Sequence, residues 1–170
     1  MSPRKQQKKQ LVPSLLMIIT SLSLVVAFFL PYVTATDAAK AVLDPGEIKV
    51  SLLGMVKIHR ELAATPTYKL VGTIVLVLIG LIALFTVLSA LFSILKKPLP
   101  TLIFLVLNFA VFNVLNWDLT DRRVIPSSLY NWGFSYYYFY IGSVLLFVGA
   151  IWLFVVKRRA KKQLRDREAS

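Results

Sequence analysis

Residues 70–95 read LVGTIVLVLIGLIALFTVLSALFSIL, and residues 96–100 that follow read KKPLP. The first run carries no charge, and its apolar positions are continuous rather than alternating. A hydrocarbon core about 30 Å thick is crossed by roughly 20 helical residues. A helix satisfies all its backbone groups within one segment, whereas a barrel strand needs alternating faces and neighbours. Residues 70–95 therefore predict a membrane-spanning helix. Lys96, Lys97, Pro98 and Pro100 predict a tight break at 96–98 into an antiparallel neighbour.

Three more apolar stretches lie around this one: residues 15–35, 99–117 and 137–156. Pro31 falls near the outer end of the first, where a missing hydrogen bond costs little. The chain has 170 residues, 57% of them hydrophobic, with a mean hydropathy of +0.70. A soluble domain of this size could not bury so much apolar surface, so the excess is expected to face lipid. The predicted fold is an all-α membrane protein: one domain over residues 1–170, a four-helix transmembrane bundle with a short β-like segment in the first outer loop. There is no cysteine, which excludes disulfides, thiolate metal sites and a cysteine nucleophile.

Direction follows from Lys and Arg. Arg4, Lys5, Lys8 and Lys9 mark the tail at 1–14, Lys96 and Lys97 the turn, and Lys157 through Arg167 the tail at 157–170. The loops at 36–69 and 118–136 mix bases such as Lys49, Arg60, Arg122 and Arg123 with acids such as Asp37, Asp44, Glu47, Glu61, Asp118 and Asp121. We expect a multi-pass plasma-membrane protein with both termini cytoplasmic. Val33-Thr34-Ala35 after an apolar run also fits a signal-peptide cleavage site. Cleavage there would leave three spans with the same sidedness.

Helices in lipid associate through small residues and polar contacts. Thr20, Ser23, Ala27 and Thr34 in the first span, and Gly142, Ser143, Gly149 and Ala150 in the fourth, supply such faces. Thr86, Ser89 and Ser93 supply one in the second, beside Ala83 and Ala90. In the third, Asn108, Asn113 and Asn116 cover an arc of about 140° at 100° per residue. An amide facing lipid is costly, so this arc is expected to face the bundle. It serves either as packing contact or as the lining of a solute path.

In the first outer loop, Asp44-Pro45-Gly46 is a turn signal. From Ile48 to Ile58 the apolar residues alternate, which predicts one bent strand or two short ones with Gly54 as bend or bulge. The second outer loop ends in Tyr130, Trp132, Phe134, Tyr136, Tyr137, Tyr138, Phe139 and Tyr140. These rings suit the membrane–water interface or an outer recognition surface. Asp118, Asp121, Arg122 and Arg123 are expected to form local pairs.

No Asp, Glu, Lys, Arg or His lies within the four apolar runs. There is no HExxH pair and no phosphate-binding glycine loop. His59, the one histidine, lies in an outer loop and is expected to be solvated. We read the chain as a non-enzyme with no metal and no cofactor. The order of features resembles that of claudins: an outer segment with strand character, a short inner turn and a basic tail. The loop lacks that family's tryptophan motif and cysteine pair, so the likeness covers topology alone. Leu30-Pro31-Tyr32, Ser51-Leu52-Leu53-Gly54 and Ile125-Pro126 through Trp132-Gly133 look like segments of small membrane proteins of Gram-positive bacteria. The expected function is that of an accessory or assembly subunit of a bacterial membrane. Its expected partners are membrane lipids and either a membrane protein or a second copy, not nucleic acid. The alternative is a small oligomeric transporter or pore using the polar face of the third span.

Overall fold

A computed structural model describes residues 3–122 and 124–168, so Arg123 lies outside the described residues. Among the described residues, five α-helices and three strands follow in the order α1 (Pro3–Ala27), β1 (Pro31–Ala35), β2 (Lys49–Ser51), α2 (Leu52–Ala64), α3 (Lys69–Ile94), α4 (Pro98–Asp121), β3 (Tyr130–Trp132) and α5 (Phe134–Glu168). Four helices are long and apolar enough to cross a membrane: α1 from Gln10, α3, α4 and α5 as far as Gln163. They pack as a ring in which α1 touches α5 and α3, and α4 touches α3 and α5. Only 33–39% of the residues in each apolar window are buried. Leu84, Val87, Ile103, Val106, Val144 and Val148 point outward, which is the surface that lipid would cover.

Small residues set the approach of α1 to α5. A Cβ on Gly142 would come within 2.8 Å of Leu24 Cδ2, and one on Gly149 within 3.4 Å of Leu16. Between α3 and α4, Phe92 and Phe104 stack with centroids 5.5 Å apart. The turn joining these two helices puts Lys96 at φ 53°, a left-handed conformation. That turn lets Lys97 N–H donate back to the Phe92 carbonyl at 2.9 Å, closing the helix end. Lys157 Nζ donates to the Lys96 carbonyl at 2.6 Å and ties α5 to the same turn.

The helix ends opposite the 96–97 turn carry an antiparallel sheet in the order β2-β1-β3. Three sequence expectations change here. The first span was expected to run to residue 35, but α1 ends at Ala27 and Pro31–Ala35 is the central strand. Thr34, expected on a helix face, pairs with Lys49 and Asn131. The strand expected over 48–58 stops at Ser51, and Leu52–Ala64 is helix, with Gly54 in its first turn. Ser51 Oγ accepts the Gly54 N–H at 3.0 Å and so caps that helix. Leu52, Met55 and His59 then line one buried face at helical spacing. This helix lies directly on α3: a Cβ on Gly72 would meet the Ala63 nitrogen and the His59 carbonyl at 2.7 Å.

Ser135 Oγ donates to the Ala27 carbonyl at 2.7 Å, a second bond beside the one from the Leu30 N–H, and ties α5 to the end of α1. Gly133 N–H donates to the Tyr32 carbonyl at 2.7 Å, and a Cβ on Gly133 would collide with the Pro31 carbonyl oxygen. Gly133→Ala should therefore cost at least about 2 kcal/mol, because backbone rather than a flexible side chain must move. Gly80→Ala, with nothing within 4 Å, should be neutral or stabilising by up to about 1 kcal/mol. Thermal unfolding of the two variants in micelles checks the contrast.

Candidate functional site

The polar residues singled out in the sequence divide into two groups. The first lies between α3 and α4. Thr86, Ser89, Ser93 and Asn108 are all buried. Thr86 Oγ1 donates to the Ile82 carbonyl at 2.7 Å and accepts from Asn108 Nδ2 at 3.0 Å. Ser93 Oγ donates to the Ser89 carbonyl at 2.7 Å. Asn108 Oδ1 and Ser89 Oγ are buried with no hydrogen-bond partner among the described residues. A buried polar atom without a partner is costly, and a bound water is the ordinary way to satisfy one.

The second group is at the sheet-bearing end. Tyr32 is fully buried and its hydroxyl donates to Asn116 Oδ1. Asn116 Nδ2 donates to the Tyr140 hydroxyl at 3.2 Å, and that hydroxyl donates to Asn113 Oδ1 at 3.2 Å. Asn113 Nδ2 donates to the Phe109 carbonyl at 2.7 Å. One directed chain thus runs from β1 through α4 to α5 and back to α4. The expected inward arc of asparagines holds for Asn108 and Asn116, while Asn113 is exposed. Its amide avoids a bare contact with lipid because both ends are engaged within the protein.

The aromatic run was expected as a belt or an outer recognition surface, and the structure divides its rings by environment. Tyr137 and Phe134 are exposed. Tyr136, Tyr138 and Tyr140 are half-buried and Phe139 is buried. Phe139 stacks on Phe112 at 4.7 Å, and Trp132 stacks on Tyr136 at 4.2 Å. Tyr32 meets Phe112, Trp132 and Tyr136 edge to face. Each such pair adds about 0.5–1.5 kcal/mol beyond its burial. Tyr138 Oη and Ser23 Oγ are hydrogen-bonded at 2.5 Å, which ties α5 to α1.

Sequence reasoning missed a groove beside these rings. Its volume is about 380 Å³. The last turn of α4 contributes Thr120, the following loop Ile125 through Ser128, and β3 Tyr130 and Trp132. Burial, and then the neighbouring Glu47 carboxylate, raise the Tyr130 phenol above its ordinary range, so it remains a neutral O–H at physiological pH. The available signal was Pro126-Ser127-Ser128 placed just before an aromatic strand.

His59 was expected to be solvated, yet it is buried. Its Nδ1 lies 2.9 Å from the Met55 carbonyl, and Nε2 has no partner among the described residues. Asp118 is also buried, with Oδ1 paired to Arg122 Nε at 2.7 Å and Oδ2 unpartnered among the described residues. Among the described residues no cluster of His, Cys, Asp or Glu could hold a metal ion.

The fold and site together define a helical bundle of membrane-spanning type with an ordered cap at one end. Comparison with known proteins finds no match to a family model, a curated protein or a solved structure.

The hydrogen-bonded chain yields a ranking of variants. Tyr140→Phe leaves Asn116 Nδ2 and Asn113 Oδ1 without their shared partner and should cost about 1–2 kcal/mol. Asn113→Leu removes an exposed amide together with its own needs and should cost less than about 1 kcal/mol. Reversible unfolding in mixed micelles would reveal an inverted order if the chain did not carry the stability.

Proposed function

We propose that this protein is a non-enzymatic accessory or assembly subunit of a bacterial plasma membrane, acting through protein or lipid contacts. The carrying observation is the ordered cap. The segments outside the spans are fastened to the bundle through Tyr32, Asn116 and Ser135. A connector with no task beyond joining spans has no need of such fastening. The cap presents the groove beside β3, and Tyr137 and Phe134 at the start of α5 are exposed as well. The Lys and Arg excess at 96–97 and 157–167 supports cytoplasmic termini and an outward-facing cap. A membrane-protein partner or a second copy is the contact that suits this surface.

The unpartnered Asn108 Oδ1 and Ser89 Oγ favour a second reading, a small oligomeric transporter or pore. In that reading Thr86, Ser89, Ser93 and Asn108 line the path, and Asn113 stands outside it.

One set of experiments separates the two. A photo-crosslinking residue at Ser127 or Asn131 should give discrete adducts in intact cells, and one at Lys97 a different set. A cysteine at Ser127 should react with an impermeant thiol reagent while one at Lys97 stays protected. Labelling at Lys97 from outside would overturn the orientation. Absence of outer adducts, together with liposome solute flux that Asn108→Leu abolishes at constant folded protein, would replace the subunit by the transporter.

A further inference from the structure

We propose that the outer groove beside β3 is a binding site for a neutral saccharide. The inference goes beyond the contact role above and shares with it only the assignment of the cap as a working surface.

The size is suitable. A volume of about 380 Å³ falls at the lower end of small-ligand pockets, which run from about 300 to 1,000 Å³. That room suits one sugar ring or a disaccharide better than an extended chain. The lining is of two kinds. Tyr130 and Trp132, with Pro126 and Ile125, supply apolar walls. A pyranose ring offers such walls its C–H face, driven by the same removal of apolar area from water that packs aromatic cores. Ser127 and Ser128 supply hydroxyls that both donate and accept, which matches the double character of sugar hydroxyls, and Thr120, whose Oγ1 donates to the Asn116 carbonyl at 2.8 Å, adds an acceptor. Neither the Ser127 nor the Ser128 hydroxyl has a hydrogen-bond partner among the described residues, and both residues are exposed.

The site is also held in place before a ligand arrives. Trp132 is stacked on Tyr136 at 4.2 Å and buttressed by the edge of Tyr32 at 5.6 Å. Tyr130 N–H is fixed to the Pro126 carbonyl at 3.0 Å, and Thr36 Oγ1 to the Ser128 carbonyl at 3.2 Å. A wall that is already ordered loses little entropy on binding.

Charge argues against the competing ligands. No Lys, Arg, Asp or Glu lines the groove among the described residues. The nearby Arg122 is engaged with Asp118, and the Glu47 carboxylate beside Tyr130 disfavours an anionic headgroup. A quaternary cation needs aromatic faces closing around it. Tyr136 already covers one face of Trp132, which leaves a wall rather than a cage.

The test uses the full chain in lipid nanodiscs free of sugar-headed detergent. Trp117→Phe and Trp152→Phe replace two outward-facing indoles. The chain has three tryptophans, so Trp132 becomes the sole indole reporter. Maltose and chitobiose are titrated as free sugars. A diglucosyl diacylglycerol, placed in the same bilayer, is the lipid-borne arm. The expected result is a saturable change in Trp132 emission, weakened roughly tenfold in Ser127→Ala/Ser128→Ala, the equivalent of about one lost hydrogen bond. Those two side chains hold nothing else in place, so the variant should fold normally. A response to the free sugars assigns a soluble or polymeric saccharide. A response to the glycolipid alone assigns a lipid headgroup. Silence in both arms overturns the proposal, as does a response that the double variant leaves unchanged or one evoked by choline or a proline-rich peptide instead. Both faces of a nanodisc are open to solvent, so this failure is separate from a failure of orientation. It also leaves the outer crosslinks of the subunit reading untouched.

Discussion

Water is scarce where this fold needs partners for its polar groups, and that constraint shapes the rest of the structure. At the sheet-bearing end, the Tyr32 hydroxyl sits fully buried at the junction of strand and helix. It has to give its proton to something, and Asn116 accepts it. Asn116, now committed, passes its own donor to Tyr140, and Tyr140 to Asn113. Each bond is modest, at about 1 kcal/mol net. Losing the first would strand the buried Tyr32 hydroxyl at a larger cost. The chain therefore fixes the relative positions of β1, α4 and α5 more firmly than its summed strength suggests.

The same constraint explains the sheet. Pro31 cannot continue a helical ladder, and α1 ends before it at Ala27. The backbone from 31 to 35 then needs other partners, and β2 and β3 provide them on either side. Gly133 allows the closest approach, because only a residue without Cβ fits against the Pro31 carbonyl. The second loop is thereby brought beside the first, and the groove opens between β3 and the loop ahead of it.

The interior of the bundle is less completely resolved into pairs. Asn108 is held to Thr86, yet its carbonyl oxygen and the Ser89 hydroxyl are left over. Toward the sheet-bearing end, His59 Nε2 and Asp118 Oδ2 are likewise buried without partners among the described residues. Each of these atoms is buried at a cost that the rest of the fold must offset.

The amino-acid sequence by itself determined the number of apolar helices, the tight turn at 96–98 and the small-residue faces. All three are local properties: span length, proline and lysine at a break, and spacing along one helix. It could not decide Leu52–Ala64, because apolar residues there satisfy alternation and helical spacing at once. The cap from Ser51 and the close seat on Gly72 belong to the folded chain. Nor could it reveal that Asn113 turns outward, that His59 is buried, or that part of the aromatic run packs inward. An arc or a run names a set of residues, but their surroundings depend on which neighbour arrives. The groove is the clearest case. Thr120, Ser127, Tyr130 and Trp132 become one wall only after β3 has paired with β1, a contact between residues almost a hundred positions apart.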